Sequence, residues 1–198
     1  MKRLAILAAA ALILLSVMSA CVSEGAASPS PSPSAPVSDA VSNASPEKET
    51  TDPAQVGKSL SKDGQWILSL LGDVTLTSDL TVEGTFYDAH NDQREYRKLA
   101  LYAQDADRKV TAKYTLTVPK ITVKSPNFYI WNGTVKGDIY VEANNFTLYN
   151  ATVEGNITFA TQEYRDSARL NEGEDSSTDP ATKVGTDGKV TGDVTVAG

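Results

Sequence analysis

The chain has 198 residues, with 18 Lys and Arg against 25 Asp and Glu, a formal net charge of −7, one cysteine and one histidine. That length allows one domain once segments that cannot fold are set aside. An acidic balance without a basic stripe argues against nucleic acid as a partner, and a lone cysteine leaves no internal disulfide.

Residues 1–20 read as an export signal. Lys2 and Arg3 form a positive n-region, Leu4 to Val17 an apolar run, and Met18-Ser19-Ala20 a small-residue site before Cys21. The apolar run is shorter than the roughly 20 residues a spanning helix needs, and polar, Pro-rich sequence follows it at once. The sole cysteine then becomes the new N-terminus, and this junction resembles the lipobox of bacterial lipoproteins. The resemblance implies lipidation of Cys21 and a membrane partner reached through the lipid. Removal of 1–20 leaves 16 Lys and Arg against 25 acids, a formal charge of −9.

Residues 21–60 are assigned to the lipid anchor and a stalk. From Val22 to about Val56 the chain is rich in Ser, Pro, Ala, Thr and acid, including SPSPSPSAP at 28–36. Such a stretch buries too little apolar surface to fold, and its prolines favour extended polyproline II. At about 3.1 Å per residue it holds the domain up to roughly 100 Å from the lipid.

Residues 61–198 form the expected domain. Here Val, Ile, Leu, Thr, Phe and Tyr alternate in short runs between Gly and Asn, which are strand signals. NFYIWNGTVKGDIYV from Asn127 aligns without a gap on NFTLYNATVEGNITF from Asn145, an offset of 18. Ile121 and Val123 precede Ile139 and Val141 by the same 18, as these precede Ile157 and Phe159. Two further copies are read, WILSLLGDVTL with Trp66 set on Trp131, and VTGDVTV from Val190.

Units this short cannot close their own cores, so they must stack. The expected fold is all-β, a short right-handed parallel β-helix of about 18 residues per coil. Phe128 then stacks on Phe146 and Asn132 on Asn150, where amides can ladder. The apolar spacing 128, 130, 135, 139, 141, 146 does not reduce to the sixes of left-handed hexapeptide helices, and parallel crossovers default to right-handed. Two segments break the period. Tyr87 to Tyr114 reads as a β-hairpin turning at 105–108, and Gln162 to Lys189 as a long acidic surface loop.

Little in the chain points to catalysis. His90, between Asp88 and Asp92, has no second histidine to complete a metal site or a Ser-His-Asp triad, so it reads as part of a polar loop. Glu172, Glu174, Asp175 and Asp179 lack the order of a calcium loop and read as a solvated acidic face. The Asn-x-Thr sequons at Asn132, Asn145, Asn150 and Asn156 are explained by the repeat, because Asn and Thr suit turns and sheet faces. No cofactor or metal is expected. No stacked carboxylate pair or Arg-Lys row supports a polysaccharide lyase, which stands as a distant alternative.

The outward positions carry aromatics: with Phe128 and Ile130 inward, Tyr129 and Trp131 face out, and Trp131 falls over Tyr149. Stacked rings there could bind sugars, or the hairpin could cover them as a second small core. The V-x-G-D/N-I/V repeats resemble bactofilin and other polymer-forming β-helix proteins, and lipoproteins on similar coils, mainly over residues 118–196. The resemblance implies a non-enzymatic scaffold that stacks end to end. The expected function is therefore a non-catalytic, extracytoplasmic, lipid-anchored structural or interaction protein. The alternative is a module for cell-wall or extracellular glycan, using Trp131, Tyr149 and Tyr129. Asp138 and Thr158 are expected to tolerate substitution. The run Val194, Thr195 and Val196, close to Gly198, is the expected self-association edge, weakened by a proline at Thr195.

Overall fold

The computed structural model describes residues 48–88, 94–170 and 187–198. The described chain is mostly strand. In order it runs β1 (Lys48–Thr50), α1 (Pro53–Leu60), β2 (Ile67–Leu70), β3 (Val74–Thr75), β4 (Leu80–Val82), β5 (Arg97–Ala100), β6 (Tyr102–Gln104), β7 (Val110–Lys113) and β8 (Thr115–Val123). It continues with β9 (Phe128–Trp131), β10 (Thr134–Val141), β11 (Thr147–Tyr149), β12 (Thr152–Glu154), β13 (Ile157–Phe159), α2 (Gln162–Ser167), β14 (Lys189–Val190) and β15 (Val194–Val196).

Two parallel sheets carry the fold. The first has the order β1-β2-β5-β9-β11. In the second, β3 and β4 pair with β8, β8 with β10, β10 with β12 and β13, and these with β14 and β15. One 18-residue step therefore moves the chain by one strand in both sheets: Trp131 lies opposite Tyr149 and Ile139 opposite Ile157. Ile121 lies opposite Ile139 in the expected register, and the VTGDVTV copy sets Val190 on Val153 and Val194 on Ile157.

The register places like on like between the sheets. Leu68, Leu99, Ile130 and Leu148 form one buried column, and Leu80, Ile121, Ile139 and Ile157 another. The Phe128 and Phe146 rings stack at 6.3 Å. Burial of such columns, at roughly 25 cal/mol per Å² of apolar surface, is the main stabilising term for strands too short to persist alone.

Two local devices turn the chain between strands. Asn127, Asn132, Asn145 and Asn150 all have left-handed backbone, with φ of 51°, 55°, 62° and 50°. Asparagine tolerates that conformation better than other non-glycine residues, which accounts for three of the four sequons without glycosylation. At Gly137 the register slips, so that Val118 and Pro119 oppose one residue of β10. The bulge lets a proline sit inside a nine-residue strand.

The first end of the stack is covered by α1. Asp52 accepts from Ala54 N–H at its N-cap, Pro53 opens the helix, and Val56 and Leu60 are fully buried against the core. Arg97 fixes the other end of this helix. Its guanidinium donates to the carbonyls of Ser59 at 3.0 Å, Ser61 at 2.9 Å and Gln65 at 3.2 Å, and to that of Glu83, and it lies 3.9 Å over the Phe86 ring. Burial pulls it down to about 10, so it stays charged at neutral pH beside the negative end of the helix.

Several expectations are corrected. Strand β1 (Lys48–Thr50) and helix α1 (Pro53–Leu60) lie in the stretch that the sequence assigned to the stalk; β1 pairs with β2, and Val56 and Leu60 of α1 join the core. The Trp66 copy is out of register, since Ser69, not Trp66, falls in line with Trp131 through Ala100. The hairpin is shorter than 87–114: β6 and β7 pair antiparallel over Tyr102–Lys113, whereas Arg97–Ala100 belongs to the stack as β5. The acidic segment from Gln162 begins with α2 and then returns, Arg169 bridging Thr147 in parallel.

Candidate functional site

The alternation of β9 and β11 sets Tyr129, Trp131, Thr147 and Tyr149 on the outer face of the first sheet, and β5 adds Lys98 and Ala100 beside them. The Trp131 and Tyr149 rings lie 4.4 Å apart, as a strict 18-residue stack requires. The hairpin that the sequence offered as their cover packs on one of them. Tyr102 of β6 stacks on Trp131 at 6.5 Å, and the Lys98 ammonium sits 4.7 Å over the same indole. Tyr129 packs instead on Tyr96 at 4.9 Å, and Tyr96 meets Trp66 edge-on at 6.0 Å.

Trp131, Tyr149 and Tyr129 therefore form part of a half-buried outer aromatic layer. The hairpin and the segment carrying Phe86 and Tyr96 lie over it. Lys98 is 6% exposed, and burial pulls its ammonium down to about 8, with Asp88 opposing the shift. Burial also drives Tyr102 up to about 12 and Tyr96 higher still. The indole Nε1 of Trp131 is buried without an acceptor. These are the marks of an aromatic core with one trapped cation.

Lys98 and Arg97 escaped the sequence reading because two adjacent cations hide the strand alternation of YRKLA. Cys21, His90 and Asp92, and the acids Glu172, Glu174, Asp175 and Asp179 lie outside the described residues. Among the described residues no group of three or more His, Cys, Asp and Glu is placed to hold a metal.

The second candidate region is the far end of the stack. Val194, Thr195 and Val196 form β15, and among the described residues β13 is the only strand that pairs with it. Val194 is 39% exposed although its register partner Ile157 is fully buried. Ile157 N–H donates to the Asp193 carbonyl at 2.9 Å, and Ala197 N–H to the Phe159 carbonyl at 2.8 Å. Residues 193, 195 and 197 thus turn their backbone groups toward β13, and by alternation those of Val194 and Val196 face the open side. A proline at Thr195 would strike the β13 pairing, not the free edge; Val196 carries an outward donor.

The outer surface of the second sheet holds an Asx ladder. Asp138 Oδ1 accepts Asn156 N–H, and Asn156 Oδ1 accepts Asp193 N–H at 2.9 Å. Thr158 and Thr195 hydroxyls pair beside it at 3.2 Å.

No protein-family model matches the chain, and comparison with curated proteins and with solved structures finds no match.

Proposed function

We propose that the protein is an exported lipoprotein, anchored through Cys21, that displays a short right-handed parallel β-helix as a non-catalytic structural module and self-associates through its C-terminal edge. The coil reading rests on the two parallel sheets advancing together by 18 residues, and the hand follows from the preference of parallel crossovers. The observation that carries the functional reading is strand β15, which among the described residues pairs with β13 alone and exposes Val194. At the opposite end α1 covers the core with Val56 and Leu60, and Arg97 holds the C-terminal end of that helix.

The glycan-binding alternative has less support, because Trp131 is half-buried and already has Tyr149, Tyr102 and Lys98 against its ring. An acidic domain held away from an anionic surface suits a lipid that alone contacts the membrane.

Fractionation of cells carrying Cys21→Ser tests the anchor. The variant is expected to leave the membrane fraction; retention there contradicts the lipoprotein reading.

A further inference from the structure

Two buried donors on the outer face of the first sheet lack an acceptor. Lys98 of β5 is 6% exposed, and its ammonium lies 4.7 Å over the Trp131 indole. Among the described residues Lys62, Lys120, Lys124 and Lys136 each pair with a carboxylate, whereas Lys98 pairs with none. The indole Nε1 of Trp131, on the neighbouring strand β9, is buried and has no hydrogen-bond partner. Both strands are interior to the first sheet, so no strand edge is involved.

A buried ammonium without a counter-ion is costly, and an unsatisfied N–H beside it adds to the cost. Distant charge does not compensate: desolvation outweighs the attraction of Asp88 and pulls the ammonium down to about 8. The side chains packed around the pair are the rings of Tyr102 and Tyr149 on Trp131, and that of Tyr129 on the strand position opposite Lys98. The ammonium and the indole N–H both donate and accept nothing, so a group that satisfies the two together carries acceptors.

We propose that Lys98 and Trp131 form a binding site for a carboxylate, one oxygen taken by the ammonium and the other by the indole N–H.

Charge and shape select that class. One ammonium neutralises one negative charge, whereas a divalent phosphate or sulfate would bring a second into a buried layer near Asp88. A carboxylate is also planar, and the Tyr102 and Trp131 rings that flank the site lie only 20° from parallel. Tyr102 stands 6.5 Å from Trp131, against 4.4 Å for Tyr149, so the looser side of the indole is the one under the hairpin. Strands β6 and β7 pair only with each other, outside both parallel sheets, and the hairpin that carries Tyr102 can therefore give way to a ligand without breaking either ladder.

Titration of the full chain in detergent with sodium acetate, against sodium chloride at equal ionic strength and pH 7, tests the site. The readout is the indole N–H resonance of Trp131, isolated by Trp66→Phe. The expected result is a saturable displacement with acetate and none with chloride, lost in Lys98→Met, whose fold circular dichroism verifies. Thermal unfolding gives a second readout: acetate should raise the midpoint of the unsubstituted chain above its value in chloride, and raise it less in Trp131→Phe, which keeps a ring but removes the N–H. Glucuronate as a second probe separates the sources, since displacement by acetate alone assigns the site to small free acids and displacement by both extends it to acidic sugars. Displacement by phosphate but not by acetate overturns the proposal, as does a displacement by acetate that never saturates or that persists unchanged in Lys98→Met.

Discussion

Asp138 Oδ1 accepts the backbone N–H of Asn156, 18 residues ahead, at 2.8 Å, and Asn156 repeats the contact toward Asp193 at 2.9 Å. Each side chain satisfies an N–H at the corner of the following unit, where the turn removes the ladder partner a straight strand would supply. Asp138 also accepts the Asn156 side-chain amide at 3.1 Å. The expectation that Asp138 is dispensable because it faces outward is therefore corrected. Asp138→Ala should lower stability by about 1 kcal/mol and Asp138→Asn by much less. Urea denaturation at fixed pH checks the difference.

Arg97 joins four carbonyls from two stretches of chain, 59–65 and Glu83, and its removal leaves them facing a buried gap. Arg97→Met should destabilise by about 3 kcal/mol, and Arg97→Lys should restore only part, because an ammonium cannot span the same acceptors. Hydrogen exchange is expected to rise first in α1, which the guanidinium fastens to the stack.

Lys98 makes stability depend on pH in an unusual direction. Its folded pKa of about 8 lies below the ordinary 10.5, so between those values the unfolded chain binds a proton that the folded chain releases. Stability relative to Lys98→Met should rise across that window, by up to about 3 kcal/mol, and be flat below pH 8. Tyr102, raised to about 12, works oppositely: above about pH 10 the folded chain keeps a proton the unfolded chain loses, and stability falls. Denaturation of the wild type and Lys98→Met from pH 7 to 11 separates the two effects.

The buried columns give the sharpest contrast between faces. Ile139→Asp or Ile157→Asp places an unpaired carboxylate in the core, which should cost several kcal/mol and unfold a domain of ordinary stability. Thr158→Ala removes only the hydroxyl contact to Thr195 and should change stability by about 0.5 kcal/mol. Thermal unfolding of the three variants distinguishes them.

The repeat was legible because stacking puts like on like: Phe128 over Phe146, Ile139 over Ile157 and Trp131 over Tyr149 follow from an offset alone. Where the chain inserts residues, the offset fails. Trp66 shared letters with Trp131 but not its place, because strand alignment there is set by burial of Leu68 and Leu70, which their sequence neighbours do not announce. Strand β5 was hidden since Arg97 and Lys98 are buried cations, satisfied only by distant carbonyls and rings. The aromatic stripe was placed correctly along the strands, but its cover came from Tyr102 and Tyr96 in segments without the repeat. The Asx ladder was present in the spaced Asp138, Asn156 and Asp193, though only the corner geometry reveals its use.

The central claim is association through the open edge of β15. Sedimentation velocity of the chain over a wide concentration range tests it most directly: the mean mass should rise with concentration and stay at the monomer value in Val196→Pro. A mass fixed at the monomer value for the unsubstituted chain at every concentration would contradict the account.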